Sequence, residues 1–142
     1  MSGRHTTLRE IKEDMKFIRK IGAGGQGKTE LFERRGDGKR LIRKSYFNNV
    51  PGRLPHEGFM LSNYIAPHPR ILKVEGFQRH PDGSRANLFF QYCEGGDLHQ
   101  VIQKHGRGMP EQFVWHVLVQ MAEALAFLRE STLCSSICLA QA

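Results

Sequence analysis

"IGAGGQGKTELF", residues 21–32, satisfies two phosphate-binding patterns at once. Gly22, Gly27, Lys28 and Thr29 spell G-x-x-x-x-G-K-[ST], the Walker A loop that joins a buried strand to a helix. Gly22, Gly24 and Gly27 spell G-x-G-x-x-G, a glycine-rich cover over nucleotide phosphates. The neighbours decide between them. A helix starting at Thr29 would add its N-terminal dipole to the phosphate site. "TELFERR" runs only to Arg35, however, before "GDG" at 36–38 interrupts it, and Asp37-Gly38 is a hairpin pair. "KRLIRKSYF" (39–47) is another strand-like run. Upstream, "MKFIRKI" (15–21) mixes apolar and basic positions as a half-exposed antiparallel strand does, whereas a buried parallel strand reads as more continuously apolar. The expected order is strand, glycine turn, strand, hairpin, strand. In the alternative, a Walker-type NTPase, Lys28 and Thr29 meet the nucleotide and a later strand ends in Asp.

The rest of the composition narrows the class. The chain has 142 residues, 39% hydrophobic and 25% charged, enough to bury a core without staples. Cys93, Cys134 and Cys138 are too few and too oddly placed for a disulfide framework, which predicts reduced thiols in an intracellular, cytoplasmic protein, with a nuclear setting also compatible. No apolar run reaches the roughly 18 residues of a membrane span, and the N-terminus has no apolar signal core. The net charge of +7 is spread along the chain. A nucleic-acid surface gathers its charge on a stripe or helix, so no direct nucleic-acid partner and no membrane partner are expected.

Downstream, "LPHEGFMLSNYI" (54–65) predicts a short helix, with Pro55 at its first position and Glu57 on the side shared by Met60 and Leu61. "FQRHPDGSRANLFFQY" (77–92) places a Pro-Asp-Gly turn between two apolar runs and reads as a hairpin. Asp97 can cap the helix begun by "HQVIQKHG" (99–106). "PEQFVWHVLVQMAEALAFLRE" (110–130) is apolar on nearly every side, as a core helix is; His116, Gln120 and Glu123 interrupt it too often for a membrane span.

These features, in this order, resemble the N-terminal part of a eukaryotic-type protein kinase. Lys44 of "LIRK" (41–44) stands 22 positions after Gly22 and takes the place of the lysine that grips the α- and β-phosphates. "PHPRILKV" (67–74) looks like the turn and fourth strand that follow the kinase's first helix, and "YCEGGDL" (92–98) like its hinge. The resemblance implies an α+β fold: a small lobe of five antiparallel strands and one helix, then the first helices of an incomplete large lobe. It divides the chain into an extension (1–14), the small lobe (15–97), large-lobe helices (98–130) and an uncharged tail (131–142). It also implies an ATP site made of Ile21, Gly22, Ala23, Gly24, Gly25, Gln26, Gly27, Lys28, Thr29 and Lys44, with Glu57 positioning Lys44. Phe90 becomes the gatekeeper behind the base, backbone groups of Gln91 and Cys93 meet the adenine edge, and Asp97 meets the ribose. Ile42 and Thr29 replace smaller or differently shaped residues around the base, and Gln91 replaces a common Glu.

The implied family function is ATP-dependent phosphorylation of protein Ser or Thr, with magnesium. Kinases reach H-R-D-x-x-x-x-N and D-F-G further on. Asp97 is the last aspartate here, and after Glu130 comes "STLCSSICLAQA". The expectation is therefore a truncated or mis-joined kinase product, without catalytic or metal-binding Asp and inactive by itself. A scaffold remnant binding a protein partner through helix 110–130 is the alternative.

Overall fold

Short apolar–charged alternations separated by glycine turns give the expected sheet. The computed structural model describes residues 8–25, 27–47, 55, 60, 65–82 and 86–140, with side chains as far as Ser131. Strands β1 (Met15–Gly24), β2 (Gly27–Arg34), β3 (Arg40–Tyr46), β4 (Val74–Arg79) and β5 (Ala86–Gln91) are followed by helices α1 (Leu98–His105) and α2 (Glu111–Ala140), with one 3₁₀ turn between the helices. The described residues fall into two compact units, one drawn from residues 1–67 and 72–92, the other from 68–71 and 93–142.

The first unit is a five-stranded sheet of order β1-β2-β3-β5-β4, antiparallel throughout. Leu88, Phe89 and Phe90, consecutive in β5, are all buried, so this strand is covered on both faces, whereas β1 at the edge is mostly exposed. Lys16, Arg19 and Lys20 on β1, together with two register shifts against β2, suit an unpaired edge, which charge and bulges protect from further strand addition.

Residues 9–14 form a strap over one face. Phe77 N–H donates to the Arg9 carbonyl and Ile11 N–H to the Phe77 carbonyl, 3.0 and 2.7 Å, fastening the strap along β4. Ile11, only 2% exposed, then packs with Phe32, Leu41 and Phe89. Gly76 makes this possible: a Cβ there would stand 2.4 Å from the Arg9 carbonyl oxygen and 2.9 Å from Ile11 Cγ1. At its far end Arg35 N–H donates to the Asp14 carbonyl, and the Arg35 and Asp14 side chains pair at 2.8 Å. Through Ile11 the strap therefore contributes to the first unit's core.

The second unit holds both helices and residues 68–71. Asp97 caps α1, its carboxylate accepting the Gln100 N–H at 2.8 Å, and the Gly106 N–H closes the other end on the Ile102 carbonyl. The segment 68–71 packs on α2: the His68 ring stacks on Phe127 at 4.5 Å, and the Arg70 guanidinium reaches Gln120 and Glu123. Gln120, Glu123 and Phe127 share a helix face by their three- and four-residue spacing.

Two sequence expectations change. The fourth strand begins only at Val74 and is itself the first arm of the 77–92 hairpin. Helix α2 continues past Glu130 to Ala140, because the uncharged segment contains neither Gly nor Pro to stop it. Most of the helix expected over 54–65, Glu57 included, lies outside the described residues. Among those residues no helix is long and apolar enough to cross a membrane.

Candidate functional site

The glycine segment is a hairpin turn. Gly24 pairs with Gly27, leaving Gly25 and Gln26 as the connection, and Thr29 lies within β2, where the Walker pattern needs a helix. Gln26 itself is outside the described residues. The glycines differ in what requires them. A Cβ on Gly27 would stand 1.9 Å from the Ser45 carbonyl oxygen, so β3 packs directly on this backbone. At Gly22, Gly24 and Gly25 nothing lies within 4 Å of an added Cβ, and none of them has a positive φ. Among the described residues, neither packing nor a positive φ demands glycine at these three.

The two lysines that sequence patterns single out face opposite ways. Residues paired across an antiparallel ladder share a face. Lys44 pairs with Thr29 on one side and Leu88 on the other, and Ile42 with Leu31 and Phe90. Thr29, Leu31, Ile42, Lys44, Leu88 and Phe90 therefore form one face, here the lysine face, on which Leu31, Leu88 and Phe90 are buried. Lys44 Nζ lies 5.3 Å from the Tyr46 ring centre. Its expected partner, Glu57, is outside the described residues.

Lys28 alternates with Thr29 and stands on the strap face. Its Nζ is 3.2 Å from Glu30 Oε1, so its ammonium points away from the face of Lys44. Glu30 also accepts a 2.8 Å hydrogen bond from Arg43 Nη2, and the Arg43 guanidinium lies over the Phe32 ring, 4.2 Å from its centre. Burial alone would raise the Glu30 pKa. The hydrogen bonds and positive charges of Arg43 and Lys28 outweigh it and hold the carboxyl below its ordinary 4.5. Sequence reasoning missed this cluster. Its signal was the period-two placement of Lys28, Glu30 and Phe32 against Leu41 and Arg43 in the facing strand.

At the end of β5, Phe90 is buried directly opposite Ile42, and the Gln91 N–H is taken by the Lys73 carbonyl at 3.0 Å. In the second unit Cys93 is exposed, and its carbonyl accepts the Gly96 N–H at 3.2 Å in a turn that ends at the cap Asp97. Ile21 and Ala23 lie on β1, where Ala23 pairs with Lys28.

A family profile for protein tyrosine and serine/threonine kinases matches residues 39–134, more than half of the chain. The chain belongs to the protein kinase family. Mouse serine/threonine-protein kinase Nek2 is 32% identical to this kinase chain over 123 residues, covering 80% of it and 27% of the relative. Arabidopsis thaliana serine/threonine-protein kinase ATG1c is 28% identical over 118 residues, covering 81% and 16%. Saccharomyces cerevisiae MAP kinase kinase kinase SSK2 is 39% identical over 67 residues, covering 47% and 4%. The kinase chain thus spans about a quarter or less of these relatives. Its five-stranded antiparallel sheet and two following helices are the kinase small lobe and the start of the large lobe.

Proposed function

We propose that this chain binds ATP on the lysine face of its sheet. In this reading the backbone from Ile21 to Gly27 covers the phosphates, Lys44 meets the α- and β-phosphate oxygens, and Glu57 holds Lys44. Ile42 and Phe90 border the base, whose edge meets the Gln91 carbonyl. The observation that carries the proposal is the set Gly22, Gly24 and Gly25, glycines that no contact among the described residues requires. They lie on the turn leading into the strand whose Thr29 is paired with Lys44. Close approach of a phosphate to the backbone supplies the missing reason for glycine.

Magnesium is the family's cofactor, and its usual Asp ligands downstream of the hinge are not among these 142 residues, where no aspartate follows Asp97. Phosphorylation of protein Ser or Thr is the family's reaction; this chain by itself, we propose, holds nucleotide without transferring phosphate. An intracellular, cytoplasmic setting goes with ATP as the ligand.

Calorimetric titration with ATP tests the reading. Lys44→Ala is expected to weaken binding on the order of tenfold, the scale of a lost charge-assisted contact, and Lys28→Ala by much less. Loss of binding in Lys28→Ala with Lys44→Ala unaffected would overturn it. A second reading, a non-catalytic remnant that binds a protein partner through residues 110–130, draws on the exposure of Trp115, Val119 and Leu125.

A further inference from the structure

Glu30 is a charged side chain buried to 8% exposure in a sheet that has little need of charge for cohesion. Backbone ladders and apolar contacts join strands, and apolar replacements of a buried ion pair are often neutral or stabilising. What a buried pair does supply is register. Glu30 stands directly opposite Arg43, and the next rungs of the same ladder are Thr29 with Lys44, Lys28 with Ser45, and Gly27 with Tyr46. A slip of β2 along β3 would leave the Glu30 carboxylate buried without its guanidinium, a state that folding strongly disfavours.

The rung fixed by Glu30 thus sets where the turn glycine, Gly27, falls relative to Lys44. Two further contacts stiffen it. Arg43 lies over Phe32, which belongs to the cluster around Ile11, Leu41 and Phe89. Lys28, the first residue after the turn, is drawn by the same carboxylate onto the strap face.

We propose that Glu30 is a positioning residue for the nucleotide site: acting through Arg43 and Lys28, it holds the phosphate loop in register with Lys44 without touching the ligand. The proposal rests on the ATP-binding reading above. It requires that losing Glu30 weaken contacts to the phosphates and leave contacts to the nucleoside intact.

The test uses the full 142-residue chain, titrated with ATP and with adenosine. In Glu30→Gln, ATP binding is expected to weaken about five- to tenfold, the range of a modest coupling between sites, with adenosine binding unchanged. The charge-exchanged double variant Glu30→Arg with Arg43→Glu is expected to restore most of the ATP affinity. Equal weakening of both ligands, or an unchanged ATP affinity, overturns the proposal. Amide hydrogen exchange without ligand separates it from the ATP reading. Faster exchange across residues 22–29 in Glu30→Gln, with the Phe89 amide unchanged, supports the register role even if the wild-type chain binds no ATP, in which case the ATP reading alone fails. Unchanged exchange at 22–29 overturns the register role whatever the nucleotide does.

Discussion

Single residues already separate fold from function in the glycine turn. Gly27→Ala forces a Cβ against the Ser45 carbonyl and is expected to destabilise the sheet by about 1–3 kcal/mol, the cost of an overpacked contact. Gly24→Ala meets nothing and should shift stability by no more than about 0.5 kcal/mol while weakening ATP binding. Thermal melts beside nucleotide titrations check both. The carboxylates Glu30 and Glu75 give a pH dependence. Burial alone would raise each pKa, but Arg43 and Lys28 in one case, and Lys39 and Lys73 in the other, hold it below 4.5. A carboxyl whose folded pKa is depressed contributes stability that is fully present above its unfolded value and lost as the pH falls through the folded one. Melting temperatures should therefore be flat above about pH 5.5 and fall below about pH 4.5, and the fall should be shallower in Glu30→Gln with Glu75→Gln. The sequence made the glycine turn and the place of Lys44 on a strand legible, because both follow from the alternation of strands and turns. It left Glu30 unread because a charged residue in an alternating strand looks solvent-facing until the opposite strand shows an arginine.

At the scale of elements, the strap is the part that pattern reading undervalued. The strands were legible from period-two alternation and turn glycines. Residues 9–14 show no such period, and Ile11 is a lone apolar side chain among charges, so its burial depends on contacts with residues 20 to 80 positions away. Ile11→Ala is expected to cost about 2–5 kcal/mol, the range for emptying a core site. Gly76→Ala should be comparably damaging, because its Cβ would strike the strap backbone. Chemical denaturation of both variants checks this. A loss below about 0.5 kcal/mol, the level of an ordinary surface change, would show that the strap adds nothing to the sheet. Helix α2 was misjudged at its end for a related reason. The disappearance of charge after Glu130 looks like a boundary, but composition does not stop a helix unless it brings a breaker.

For the whole molecule, the apolar helices matter most. Leu98 and Ile102 of α1 and Phe113, Val117 and Met121 of α2 line a groove of about 330 Å³ with almost no polar surface, and Trp115 is 60% exposed. A surface of this kind promotes association. The chain is expected to sediment as larger species with rising concentration, with its one tryptophan shifting its emission to the blue, and Trp115→Asp should suppress both. The threading of residues 68–71 has a separate consequence. Neither unit is an unbroken length of polypeptide, so no single proteolytic nick can release both intact. A nick after Tyr92 would leave the docking site of α2 behind on the longer piece. Two such pieces, mixed, should find each other again, and Arg70→Ala should loosen that reunion by about 1 kcal/mol or less, because the guanidinium–carboxylate pair it removes is partly exposed to water.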